Sequence, residues 1–336
     1  MDAKLARMNH LHLIVPALFL PVQAFSAVLA GLRLPYLEKL LAHSRHAVLP
    51  PTALENRLCD GFGVQSVAPL RALADGLAGA EGYWLCADPV ELQIQSSQVI
   101  LQPDVACSDA EAQSLCAALN AHFSGEGWRF FAPHPLRWYV QTQVPGEVEM
   151  TPLRTAAWRD VKMLLPRGVD ARRWQRLGNE VQMLLHQHPV NMARQQSGNP
   201  AVNSLWLWGG GCAAAPHPVF DAAGNDDALV TAFARASEVA VLDDLPGLLE
   251  TRHERGLWVD ASLEEAWRRG DLYTYRARLE KFENEIATPV WQALGAGRLR
   301  ALTLEVLTEE ADHRFEMTRA GCWKLWRRHR PLAAYI

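Results

Sequence analysis

The chain alternates between two kinds of hydrophobic patterning. Short apolar runs bounded by turn residues read as strands, and longer stretches with apolar residues three and four apart read as helices. Leu11 to Val15, the run from 84 to 94, Ser204 to Trp208 and Leu257 to Val259 are of the first kind. Ser108 with Glu111 forms a capping-box pattern opening a helix to about His122, with Leu115, Leu119 and Phe123 inward. Trp128–Phe131 and Leu136–Val144 then read as two strands around the turn 132–135. A helix from about Asp170 to His188 carries Trp174, Leu177, Val181, Leu184 and His188 on one face, and residues 227–238 form another amphipathic helix. A further helix starts near Asp271 and is ended or kinked at Pro289. Leu299–Val306 and His313–Thr318 form a late antiparallel pair. Strands alternating with helices predict an α/β protein with a mostly parallel sheet.

The N-terminus is the one place where the pattern fits a different class. Lys4 and Arg7 precede an uncharged run from Leu13 to Leu32, the outline of a signal peptide or membrane span. Pro16 and Pro21 interrupt that run, and Gln23 and Ser26 dilute it. The expectation is a buried first strand at Leu11–Val15, then a loop and a helix. With 336 residues and 49% hydrophobic content, a large core is available. A net charge of −4 leaves no electrostatic footprint for nucleic acid. The basic cluster Lys324–Arg330 reads as a helix face. Six scattered Cys without a C-x-x-C fit reduced thiols in a cytoplasmic protein and give no zinc spacing.

The most unusual stretch is 186–211, HQHPVNMARQQSGNPAVNSLWLWGGG. A polar segment holding His186, His188, Asn191 and Arg194 leads through a Gly-Asn-Pro turn to Asn203, then to a strand with Trp206 and Trp208, and ends in Gly209, Gly210 and Gly211. Glycines there allow close approach of a ligand or positive φ. The order HPVN, then VNSLWLWG, resembles a segment of the archaeal-type cofactor-independent phosphoglycerate mutases. So do Ala118-Leu119-Asn120, Gly127 to Phe130 and Leu136-Arg137-Trp138, in the right order, and Leu164 to Gly168 after them. The resemblance implies an alkaline-phosphatase-like fold: a main domain over 8–83 and 147–336, with a small α+β insertion at 84–146. In this arrangement 11–15, 204–208 and 257–259 belong to the parallel sheet.

That family's mutases are expected to use a Ser nucleophile and two divalent metals, Mn or Mg, held by Asp and His at strand ends. Residue by residue the match fails. Pro16-Ala17-Leu18 stands where an Asp would follow strand 1, and Thr52 to Asn56 has no Ser. Met150 to Leu153 replaces an Asp-Pro-His-Asp segment, and Trp267-Arg268-Arg269 separates Asp260 from Gly270-Asp271. Asp312-His313 reads as a turn into an edge strand. The implied protein is a catalytically degenerate relative with no metal or other cofactor. It would bind a small anionic ligand or a protein partner through His188, Asn191, Arg194, Asn203, Trp206, Trp208 and Gly209–Gly211, without nucleic acid or membrane. The alternative is an active metal-dependent phosphomutase or phosphatase. Two other chemistries are weaker. Gly209 to Ala214 fits a loose dinucleotide pattern that Pro216 interrupts, and Cys212 with His217 reads as a small buried Cys rather than a nucleophile pair.

Overall fold

The computed structural model describes residues 8–21, 28–77, 81–225, 227–250, 252–323, 327 and 330–335. In chain order the elements begin with β1 (Met8–Pro16), α1 (Pro35–His43), β2 (Arg45–Leu49), α2 (Leu54–Phe62) and α3 (Val67–Ala74). Next come β3 (Tyr83–Gln95), β4 (Gln98–Gln102), α4 (Asp109–His122), β5 (Trp128–His134), β6 (Arg137–Thr142) and α5 (Leu153–Ala156). Then follow α6 (Ala171–His186), α7 (Pro189–Gln196), β7 (Ser204–Cys212), β8 (Ala222–Asn225), α8 (Ala228–Ala236), β9 (Ala240–Leu242) and α9 (Leu245–Glu250). The chain closes with β10 (Arg255–Val259), α10 (Ser262–Arg268), α11 (Leu272–Phe282), α12 (Thr288–Ala296), β11 (Leu299–Leu307) and β12 (Asp312–Thr318).

These elements form two compact units, one from 1–63 with 217–336 and the other from 64–216. The first holds a seven-stranded sheet in the order β2-β12-β11-β1-β10-β8-β9. β1, β8, β9, β10 and β11 run parallel, while β12 and β2 are added antiparallel at one edge. β1 is central because its alternation serves both faces. Leu11, Leu13 and Val15 are fully buried in a core with Leu37 and Leu41 of α1, Leu279 and Phe282 of α11, and Leu294 of α12. His10 and His12, pointing the other way, stay partly exposed. Each Leu or Val buried this way contributes about 1.5–3 kcal/mol.

The helix expected near Asp271 is capped by Asp271, whose side chain accepts from Thr274 N. It does not end at Pro289: residues Glu283–Ala287 form a π-helical turn that runs into α12. The turn has a use, since the Glu283 carboxylate accepts from the backbone N–H of Tyr36 and Leu37 and so caps α1 (2.7 and 2.9 Å). The parallel strands at 11–15 and 257–259 and the antiparallel pair of β11 and β12 agree with the sequence pattern. Residues 22–27, and most of the basic cluster at 324–330, lie outside the described residues. No helix among the described residues is long and apolar enough to cross a membrane.

The second unit is a five-stranded antiparallel sheet in which β3 pairs with β4, β6 and β7, and β5 pairs with β6. The strand at 204–208 therefore departs from expectation: it pairs antiparallel with β3, Trp208 opposite Cys86 and Trp206 opposite Asp88, and takes no part in the parallel sheet. The insertion is accordingly wider than 84–146, because α6 and β7 share one core with α4 and the sheet. Leu205 and Leu207 face that core, with Leu115, Leu119, Trp174 and Leu177. Ser108 and Glu111 make the capping box expected from their spacing.

Candidate functional site

In an open α/β sheet, ligands gather beyond the carboxyl ends of the parallel strands. Here that edge is built from Ala17 after β1, Asp260 after β10, and the β11–β12 turn. Ala17 takes φ +56, an uncommon conformation for a residue with a side chain. Three hydrogen bonds hold the loop. Ala17 N–H donates to Leu307 O (2.9 Å), and the Tyr275 hydroxyl donates to the carbonyls of Ala17 (2.9 Å) and Leu18 (3.1 Å). The result turns Leu18, Phe19 and Leu20 inward, all buried. The Phe19 ring packs edge-on to His313 and Phe315, with centroids 5.1 and 6.1 Å away. An apolar plug thus fills the position next to strand 1.

The acidic groups of this region are engaged. Asp260 accepts from Ser262 N at 3.0 Å, opening α10. Asp312 and Glu305, both almost fully buried, form a charge cluster with Arg57 of α2 and Arg314 of β12. Arg57 Nη2 donates to Asp312 Oδ2 at 3.0 Å, and its Nε lies 3.6 Å from Glu305 Oε2. Arg314 grips Glu305 Oε1 through Nε (2.7 Å) and Nη2 (2.6 Å). His12 Nε2 approaches Glu305 Oε2 at 3.4 Å. Burial alone would push the Glu305 carboxyl up; His12, Arg314 and Arg57 outweigh it and bring it down to about 2. For Asp312, burial prevails over Arg57 and raises the pKa. Guanidinium groups therefore stand where a cation would have to approach these carboxylates.

The residues do not fit a pair of divalent cations. Among the described residues, no three His, Cys, Asp or Glu side chains converge in a way that could hold a metal ion. Arg268 and Arg269, which interrupt the family's Asp-His pattern, pair with Glu264 (2.7 Å) and Glu265 (3.2 Å) one turn back on α10.

The residues chosen from the 186–211 stretch all lie in the second unit, and each is tied into it. His188 caps α7, its Nδ1 accepting from Val190 N at 3.2 Å. Asn191 is fully buried; its amide donates to Leu185 O (2.8 Å) and Val202 O (2.7 Å) and accepts from Val202 N (2.9 Å). Arg194 is also buried, donating to the carbonyls of Pro200, Ala106 and Val105 and to Glu111 at 2.9 Å. Asn203 exchanges hydrogen bonds with the backbone of Leu92. Trp206 donates to Thr151 O at 2.9 Å, and Trp208 to Asp88 Oδ2 at 2.8 Å. The glycines make room for protein. A side chain at Gly209 (φ +64) would meet Val67 Cβ at 3.0 Å, one at Gly210 would meet the Tyr83 hydroxyl at 2.5 Å, and one at Gly211 would collide with the Ser66 Oγ. They continue β7 rather than opening a phosphate loop. Cys212, expected as a small buried side chain, is exposed.

Asp88, invisible as a candidate in the sequence, is the hub of that unit. It accepts from Arg71 Nη1 (2.9 Å) and Nη2 (2.6 Å) as well as Trp208. Arg71 Nε donates to the Tyr139 hydroxyl (3.0 Å), which donates to Asp75 (2.6 Å), itself held by Arg137. In the first unit, Arg57, Glu305 and Arg314 were equally missed. The available signal was the pair of alternating polar tracks His10-Leu11-His12 and Thr303-Leu304-Glu305, set in strands whose opposite faces are apolar.

Comparison with known proteins agrees with this architecture. The chain is 30% identical over 153 residues to the 2,3-bisphosphoglycerate-independent phosphoglycerate mutase of Methanosarcina mazei, covering 44% of this chain and 37% of that one. It is 26% identical over 253 residues to the mutase of the same name from Methanosarcina acetivorans, covering 66% and 62%. The match thus spans less than two-thirds of either curated relative's length. No family model matches. The solved PH0037 protein of Pyrococcus horikoshii is similar in fold, with a TM-score of 0.58 and 15% identity over 93% of this chain and 88% of that one. In sequence the chain is thus similar to cofactor-independent phosphoglycerate mutases, at the low identity of a divergent relative, and its mixed α/β fold is similar to that of the PH0037 protein.

Proposed function

We propose that this phosphoglycerate-mutase-like chain has lost mutase turnover and acts as a cytoplasmic regulatory protein, binding a small anionic ligand or a protein partner. The observation that carries this reading is the filling of the sheet's carboxyl edge. Metal-assisted phosphoryl transfer needs carboxylates open to cations and a hydroxyl beside them to accept the phosphoryl group. Leu18 and Phe19 take the place beside strand 1, and Arg57 and Arg314 take the approaches to Asp312 and Glu305. An arginine there repels cations, and no protonation change near neutrality removes its charge. The reading requires no metal or other cofactor.

The test is a coupled assay for interconversion of 2- and 3-phosphoglycerate across Mn, Mg and Zn, beside elemental analysis of the purified protein. The expected result is no turnover above the protein-free rate and no stoichiometric metal. Metal-dependent turnover abolished by a chelator would overturn the reading and restore an active phosphomutase or phosphatase.

A further inference from the structure

The face of the seven-stranded sheet that carries His10 and His12 is only partly covered. A cavity of about 600 Å³ lies over it, lined by Asn9, His10, His12, Phe220 and Arg255 among others. A second cavity, of about 380 Å³, shares His10 as a wall and reaches Arg45, Thr303 and Glu316. Both lie within the first unit, toward the amino-terminal half of β1 and away from the plugged carboxyl edge. Parallel strands such as β1, β10 and β11 normally have both faces covered, so a polar, accessible stretch over them is a place for an occupant.

The lining groups narrow its chemistry. His10 Nε2 and Thr303 Oγ1 are 2.9 Å apart and form one polar station. The Arg255 guanidinium, on an exposed residue, makes no ion pair or hydrogen bond among the described residues. Phe220 packs edge-on to His12, with centroids 5.7 Å apart, and beside it Val219 is 47% exposed, giving an apolar wall. Glu254 and Glu316 also border the space. A doubly charged anion would meet both carboxylates; a planar single charge can take the two-pronged guanidinium of Arg255 and avoid them.

We propose that this groove binds a small monocarboxylate with an apolar body, its carboxylate on Arg255 and the His10–Thr303 pair and its body against Phe220 and Val219. The proposal rests on the reading of the chain as a binding protein and gives that role a place and a ligand class. The charges facing His10 are His12 on its own strand, Arg255 on β10 and Glu316 on β12. Burial first, then His12 and Arg255, hold its pKa below the ordinary 6.5 against the pull of Glu316. A bound carboxylate adds negative charge and moves that titration upward.

The probe is benzoate, followed by calorimetry and by the imidazole NMR signals of the full chain. Benzoate is expected to shift the His10 and His12 signals, raise the His10 titration, and bind about tenfold more tightly than acetate. Arg255→Gln, at an exposed position, is expected to weaken benzoate about tenfold. Thr303→Val tests the second anchor and is expected to abolish the His10 response. Silence of both imidazoles at millimolar benzoate, equal binding of acetate, preference for phenyl phosphate, or unchanged affinity in R255Q would each overturn the assignment. The mutase assay is independent, so failure here is separable from failure of the functional reading.

Discussion

Asp88→Ala removes the acceptor at the centre of the second unit and leaves its donors in place. Asp88 is 2% exposed and Arg71 is 5% exposed, so neither charge can be rescued by water without opening the fold. Burial pulls the Arg71 pKa down and Asp88 more than reverses it, so the guanidinium remains charged. In the variant it keeps the Tyr139 hydroxyl and the weaker Trp138 O at 3.3 Å, and Trp208 Nε1 loses its partner. Breaking a buried ion pair from one side costs about 3–5 kcal/mol. An orphaned indole N–H costs about 1–3 kcal/mol alone, and the two overlap because they share one acceptor. The expected loss is therefore about 3–5 kcal/mol, against a stability on the order of 5–15 kcal/mol for a domain. Urea unfolding followed by tryptophan fluorescence reads it, because Trp84, Trp138, Trp174, Trp206 and Trp208 all lie in this unit. The paired variant Arg71→Met with Asp88→Leu removes both charges and is expected to recover part of the loss, the Trp208 indole still lacking its acceptor. A single variant costing under about 1 kcal/mol, or a double variant as damaged as the single, would refute the assignment of the ion pair as the unit's hub.

Glu305→Gln tests the charge cluster of the first unit. With its pKa held at about 2 against an ordinary 4.5, Glu305 contributes stability that is full above 4.5 and lost as pH falls through 2. That depression corresponds to a contribution on the order of a few kcal/mol. The variant should be less stable at pH 7 and lose less on acidification. Asp312, whose raised pKa has the opposite sign, shifts downward in the variant, because the Glu305 charge is one of the causes that hold it up. Parallel denaturation curves across that window, offset or not, would contradict the prediction. Gly209→Ala is expected to cost about 1–3 kcal/mol in a thermal melt, from its positive φ and the contact with Val67. Gly198→Ala, with φ +72 but open space around it, should cost less, and equal losses would mean that packing against α3 contributes nothing.

How much of this was legible follows from what each element depends on. β1 and β10 are readable because Leu11, Leu13 and Val15, and Leu257 and Val259, set their own pattern. β7 is also readable as a strand, yet its partner is not. Four apolar residues between turns look the same in a parallel sheet and beside β3, and the choice is made by residues 83–90, more than a hundred positions away. The unit boundary was missed for the same reason, since Arg71 of α3 belongs with Asp88 only through that pairing. The alternating track Thr303-Leu304-Glu305 marks Glu305 as a polar position, but its partner Arg57 sits on α2, far away in the chain, and nothing in either segment announces the pairing.

The 186–211 stretch drew attention as a ligand site because it concentrates Asn, Arg, Trp and Gly. The same composition is what an anchored chain reversal requires. On either side of α7, between α6 and β7, the backbone leaves helix and sheet hydrogen bonding, and its carbonyl and amide groups still need partners. Asn191 supplies them at Leu185 and Val202, Arg194 at Val105, Ala106 and Pro200, and Asn203 at Leu92. The glycines let Ser66, Val67 and Tyr83 close on β7. A stretch doing that work keeps its residues for the fold, whatever becomes of the chemistry elsewhere. Its resemblance to a mutase segment therefore speaks to ancestry and folding. The activity must be judged at the carboxyl edge of the other sheet, where Ala17, Leu18 and Phe19 follow strand 1 and arginines hold the carboxylates.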